Sequence, residues 1–173
     1  MDAFVAIGEV VKAVGLRGEV KLYPLLDFHE PLLDSGFLVW QDGTAAGILR
    51  HRPTGGGCVA LLLEGSEGRD RAEELVGREL GFLRASYLDP AFPRPRGGLA
   101  FRYLGRRVVT ATGDEIGTVD EVRRAGGPLL LVVPDGRGEI LIPAVAPILR
   151  PDDGLEGDLV VDVPEGLLDV NRE

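Results

Sequence analysis

Residues 7–22 constrain this chain most. They read Ile7-Gly8-Glu9-Val10-Val11-Lys12-Ala13-Val14-Gly15-Leu16-Arg17-Gly18-Glu19-Val20-Lys21-Leu22. Val10, Val11 and Val14 lead into a short loop; Val20 and Leu22 lead out of it, with Lys21 on the alternate face. Apolar residues at every second position predict two strands, each burying one face. Gly15 and Gly18 suit positions of positive φ or close backbone approach, where a Cβ is not tolerated. The loop then displays Lys12, Arg17 and Lys21 near one rim of a sheet. It holds no nucleophile and no metal cage, so it points to recognition rather than catalysis.

The rest of the chain repeats the theme of short strands and tight turns. Its 25 glycines and 12 prolines among 173 residues favour many short elements, and an apolar fraction of 45% supplies a core. Up to residue 84 the strand candidates are Phe4–Lys12, Glu19–Leu26, Gly36–Trp40, Ala45–His51, Cys58–Glu64 and Arg78–Leu83. Asp42-Gly43 marks a hairpin turn and Gly55-Gly56-Gly57 a second turn. The one helix expected here is Asp70–Val76, with Ala72, Leu75 and Val76 on a shared face and Gly77 closing it. Six strands and one short helix predict a small, closed or nearly closed barrel over residues 1–84.

Residues 85–98 are rich in Pro and Gly without periodicity and read as a stiff linker. The segment 99–173 is again strand-rich: Leu104–Thr110, Ile116–Val122, Leu129–Val133, Glu139–Ile142, Ile148-Leu149 and Asp158–Val163. Leu129-Leu130-Leu131-Val132-Val133 lacks polar alternation, which predicts a strand buried on both faces. The expected fold class is all-β, two small barrels joined by the linker.

Catalytic constellations do not emerge. His29, His51 and Cys58 have no zinc-like spacing, and Cys58 opens a strand as a core thiol. Only Ser35, Ser66 and Ser86 are serines, and none sits in a nucleophile elbow. The adjacent acids Glu73-Glu74, Asp114-Glu115 and Asp152-Asp153 read as solvated surface. A non-enzyme without cofactor or metal is expected. A single cysteine excludes an internal disulfide, and no apolar run approaches the roughly 18 residues that span a bilayer. A soluble, cytoplasmic, monomeric protein follows as an expectation.

Charge narrows the partner. With 28 acids against 19 bases the chain carries −9, which disfavours general nucleic-acid binding and suits a basic protein partner or a local basic patch. Residues 90–113 contain no acid but hold Arg94, Arg96, Arg102, Arg106 and Arg107. That stretch is either a solvated linker or a contact surface. Lysine occurs only at positions 12 and 21.

Four motifs in order resemble the RimM family of ribosome maturation factors. They are Gly8-Glu9-Val10-Val11-Lys12-Ala13-Val14-Gly15-Leu16-Arg17-Gly18-Glu19, Gly113-Asp114-Glu115-Ile116-Gly117-Thr118-Val119, Leu141-Ile142-Pro143 and Pro164-Glu165-Gly166-Leu167-Leu168. The resemblance implies an N-terminal barrel like those of translation factors and a C-terminal PRC barrel. It also implies an assembly factor that associates with the immature small ribosomal subunit, binds ribosomal protein S-nineteen in its head and supports 16S rRNA processing. Lys12, Gly15, Arg17, Gly18, Glu19 and Lys21 are then the expected ribosome-binding residues. Glu19 could equally brace the loop through a neighbouring cation. Relatives in that family carry adjacent aromatics after the linker; aligning on Gly105 puts Gly98-Leu99 there. Phe101 and Tyr103, expected to alternate on a strand, either replace that pair as an exposed anchor or pack into the barrel. With Arg106 and Arg107 they form the candidate protein-partner surface. The alternative is direct contact with 16S rRNA through the arginines of 94–107.

Overall fold

A computed structural model of the chain describes residues 4–95, 98–124, 126–136, 138–152 and 154–163. The chain divides into two compact units, Met1–Pro93 and Arg94–Glu173.

In the first unit the alternation flanking the loop becomes β1 (Phe4–Val14) and β2 (Glu19–Pro24), paired antiparallel. With β3 (Val39–Trp40), β4 (Ile48–Pro53), β5 (Val59–Leu63) and β6 (Glu79–Leu83) they form a sheet ordered β3-β6-β1-β2-β5-β4. The two edge strands are consecutive in the chain. The expected turn joins them: Asp42 Oδ1 accepts from the Thr44 amide at 2.9 Å, and the Trp40 amide donates to the Thr44 carbonyl at 2.8 Å. The segment after it bridges both edges, because the Ala46 amide donates to Leu38 O at 3.0 Å and the Glu64 amide to Gly47 O at 2.9 Å. The sheet therefore curls on itself as a barrel. Ile7, Val10, Val20, Leu22, Leu61, Leu80 and Phe82 fill it and expose no surface.

Two helices accompany the sheet. α2 (Arg69–Glu74) lies where a helix was expected, one residue earlier at its start and two shorter at its end. α1 (Glu30–Leu33) has no counterpart in the sequence expectations. Pro31 sits in its first turn, and Leu32 and Leu33 are buried; a single turn is too short to show periodicity.

The first part of the expected linker packs on the first unit. Arg84–Leu88 form a 3₁₀ turn, and Tyr87 and Phe92 are buried in the first unit. The Phe92 ring lies 4.9 Å from that of Phe82, 5.2 Å from Phe37 and 5.6 Å from Tyr87. Prolines around it hide no helical or strand period, yet the aromatics supply the burial that holds this stretch on the barrel.

The second unit is built from β7 (Arg107–Thr110), β8 (Glu115–Thr118), β9 (Glu121–Arg124), β10 (Leu129–Pro134), β11 (Glu139–Pro143) and β12 (Leu159–Val161). They make two three-stranded sheets, β11-β10-β9 and β12-β7-β8, with β12 parallel to β7. A corner at Val119-Asp120 stitches the sheets, where these amides donate to Arg106 O at 2.9 Å and Val132 O at 3.0 Å. β10 is central and deeply buried, as its unbroken apolar run predicts. The motif at 164–168 lies outside the described residues.

Phe92 separates the two views of residues 85–93. Phe92→Ala should cost about 3 kcal/mol in urea unfolding if the ring belongs to the core. A linker residue would cost almost nothing.

Candidate functional site

The β1–β2 hairpin departs from strict alternation at one place. Val10 faces Leu22 across the hairpin, but the next pair is Lys12 with Lys21, so Val11 is an extra, bulged residue. A bulge reverses which face each later side chain takes. Without it, Val10 and Lys12 would both point into the core. With it, Lys12 joins Lys21 on the outside and Ala13 faces Val20. Both lysines of the chain are thus direct cross-strand partners, an arrangement that like charge disfavours.

The tip is held by two glycines of different kinds. Gly15 has φ +63 with open space around it. Gly18 has φ +91, and a Cβ there would overlap the Ser66 carbonyl oxygen. The buried Ser66 hydroxyl shares its proton between Gly18 O at 3.0 Å and Leu63 O at 2.8 Å. Ser66 is a residue that sequence reasoning missed; no local signal marks it. Between the glycines Leu16 is 78% exposed beside Arg17.

Glu19 braces the sheet. Its carboxylate accepts from Arg50 Nη2 at 3.0 Å and Arg52 Nη2 at 2.9 Å, both on edge strand β4. The Arg52 hydrogen bond is the main cause holding the Glu19 carboxyl below its ordinary range; partial burial opposes it, and the Arg52 charge and Arg50 add to it. The stabilisation is complete above the ordinary carboxylate range and lost as pH falls through the lowered value.

The cations divide sharply. Arg50, Arg52, Arg69, Arg71, Arg78, Arg102, Arg106, Arg107, Arg123 and Arg150 all pair with carboxylates. Arg84, Arg94 and Arg124 also have partners within the chain. Among the described residues, Lys12, Arg17 and Lys21 are the cations with no hydrogen bond or ion pair at their charged ends. All three belong to this hairpin.

The candidate partner surface of the second unit rearranges. Ala100–Arg102 form a 3₁₀ turn rather than a strand, so Phe101 and Tyr103 do not alternate. Tyr103 is 2% exposed and packs in the core with Val108, Leu131 and Leu159. Arg106, 5% exposed, is not a surface residue either. It donates to Asp152 Oδ2 at 2.6 Å, Glu156 O at 2.9 Å, Gly157 O at 3.0 Å and Gly154 O at 3.2 Å. Arg102 adds bonds to the Asp152 carboxylate and carbonyl. Burial pushes the Asp152 carboxyl up, but the Arg106 bond, the Gly154 amide and the two guanidinium charges outweigh it and hold the pKa low. Two buried arginines thus gather Asp152, Gly154, Glu156 and Gly157 around themselves. Phe101 is partly exposed, and Arg107 is half-exposed in a two-pronged bond to Asp158 at 2.7 and 2.9 Å.

The two histidines and the cysteine each have a local place. His29 Nδ1 meets Leu26 O at 2.8 Å, His51 pairs with Asp34 at 2.7 Å at the surface, and Cys58 is buried. Among the described residues no group of three His, Cys, Asp or Glu could hold a metal ion, and no helix is long and apolar enough to cross a membrane.

Comparisons with known proteins agree along the chain. The family model for the RimM N-terminal domain matches residues 5–86, and that for the RimM PRC barrel domain matches residues 100–167. A protein of Anaeromyxobacter dehalogenans named ribosome maturation factor RimM is 34% identical, covering 96% of this chain and 99% of its own. Its namesake in Gloeobacter violaceus is 33% identical over 98% and 95%. A solved structure from Pseudomonas aeruginosa, titled a 16S ribosomal RNA processing protein RimM, is 26% identical, covers 94% of this chain and 98% of its own, and has a TM-score of 0.45.

The two glycines should respond differently. Gly15→Ala should cost about 1 kcal/mol from its backbone conformation alone. Gly18→Ala should cost more than about 2 kcal/mol, because the Ser66 backbone must also move. Urea unfolding of both variants checks the order. In the second unit, Asp152→Asn leaves Arg102 and Arg106 without their carboxylate and should cost about 2–4 kcal/mol. It should also flatten the loss of stability with falling pH, since the lowered carboxyl stabilises only while ionised.

Proposed function

The chain belongs to the RimM family, and we propose that it acts as a non-catalytic assembly factor for the small ribosomal subunit, gripping the immature particle with the β1–β2 hairpin. The observation that carries this is the isolation of Lys12, Arg17 and Lys21. In a chain of net charge −9, every described arginine but Arg17 has a partner within the chain, and the three described cations without one share one anchored hairpin. Direct opposition of Lys12 and Lys21 costs stability in the free protein and is relieved when an anionic surface arrives. The names of the relatives, ribosome maturation factors, support a ribosomal particle as that surface.

The second unit would meet the head of the particle. An acidic factor suits a basic client such as ribosomal protein S-nineteen, whose charge it can cover until rRNA takes it up. Of the four residues expected on that surface, Phe101 and Arg107 keep outward-facing area. Direct rRNA contact through residues 94–107 loses its support, since Arg102 and Arg106 are buried and Arg107 is paired.

Co-sedimentation with immature and mature small subunits tests the function. The wild-type chain should pellet preferentially with immature subunits, and Lys12→Glu/Arg17→Glu/Lys21→Glu should lose at least tenfold in bound fraction. Equal pelleting of wild type and variant would remove the hairpin from the contact. A wild type that ignores immature subunits would end the proposal.

A further inference from the structure

We propose that the outer face of β1, β2, β5 and β4 is a track for the phosphate backbone of RNA, whose strength Glu19 caps by holding two of its arginines. The inference rests on the function proposed above and adds which component of the particle the hairpin grips.

The track is visible in the strand register. Lys12 pairs with Lys21, Lys21 with Ala60, and Ala60 with Arg52. Residues directly opposite in an antiparallel sheet share a face. These four side chains therefore form one row across four adjacent strands, spanning about 14 Å at ordinary strand spacing. Ala60, short and itself covered, adds no bulk between the cations on either side. Arg50 stands two residues before Arg52 on the same face of β4.

A line of cations suits a polyanion, and one further side chain favours RNA over an acidic protein. Tyr23, two residues beyond Lys21 on the same face of β2, is 52% exposed. An exposed ring beside a row of cations is what an unstacked base needs, whereas an acidic peptide would leave it unused. Glu9, opposite Tyr23, bounds the track.

Glu19 is the one carboxylate within the row of cations. It accepts from both Arg50 and Arg52, yet each arginine side chain stays more than half exposed. A carboxylate offers guanidinium the same two-oxygen acceptor geometry as a phosphate, so it competes for the same donors. With Glu19 charged, Lys12, Lys21 and, at the adjoining hairpin tip, Arg17 are available; without its charge, Arg50 and Arg52 bring the number to five.

Filter binding of the full chain to a 16S rRNA transcript over a salt series tests this. Each neutralised phosphate contributes about −0.7 to −0.9 to the slope of log K against log salt. Wild type should show a slope of about −2 to −3. Glu19→Gln should steepen it to about −3.5 to −4.5 and bind about tenfold tighter near 0.1 M salt. Lys12→Glu/Lys21→Glu, at an exposed and a partly exposed position with no ion pairs to lose, should weaken binding at least about tenfold, and Tyr23→Ala about fivefold. Equal or weaker binding by Glu19→Gln, or its failure to fold, overturns the cap. An unaffected double lysine variant, or a wild-type slope near zero, overturns the track. Co-sedimentation of the same proteins separates the two levels. Subunit binding without RNA binding defeats the track and leaves the function standing. A wild type that misses immature subunits defeats both.

Discussion

The contact of Gly18 with the Ser66 backbone fixes everything the hairpin presents. It ties the end of the loop to the turn after β5 and closes that end of the barrel without a large side chain. That end of the loop is anchored, and Leu16 and Arg17 stand exposed between the two glycines. Loops that carry recognition on a rigid scaffold lose less entropy on binding than loops that must first be ordered. The bulge at Val11 does the complementary work on the incoming strand. It turns Lys12 outward while β1 continues to bury Ile7 and Val10. One device fixes where the tip stands, and the other fixes what the strand displays.

The second unit uses the same residue type to opposite effect. Arg102 and Arg106 are drawn inside, where a guanidinium with five donors can satisfy several carbonyls and one carboxylate together. A lysine could not replace either, because its three donors point from a single atom. The two lysines fall on the hairpin's outer face, where a mobile, well-hydrated charge is presented, whereas Arg102 and Arg106 sit where planar, multidentate bonding organises backbone. Arg102, Arg106 and Arg107 are engaged within the chain, although in the sequence the stretch 94–107 looks like an interface.

That contrast marks what can be read from residues alone. Two β units, the Asp42-Gly43 turn, the buried β10 run and the glycine roles at 15 and 18 all follow from local pattern. They depend on periodicity or on backbone sterics, which neighbours in sequence reveal. The bulge does not, because the Val10-Val11-Lys12 run fits a regular strand equally well. The burial of Tyr103 and Arg106 is hidden for a related reason: a 3₁₀ turn precedes them in place of a strand, and the partners of Arg106 lie about fifty residues away. Phe92 escaped because prolines mask its neighbourhood. Ser66 had no signal, since its role is set by a carbonyl 48 residues distant. Whatever long-range pairing decides stays hidden, and here it decides which cations are free.

An acidic chain that grips a polyanion must reconcile two ranges of force. At physiological salt the Debye length is about 8 Å, shorter than the breadth of either unit. The net charge of −9 is felt mainly before contact, where it slows approach. The lysine pair acts at contact, where neighbouring strands hold the two charges within a single screening length. Salt weakens both effects, the repulsion of the whole and the attraction of the patch. On the proposed function, attachment would be local, modest and easily reversed. Those properties suit a factor that must occupy an unfinished particle and then give way to the RNA and protein that complete it.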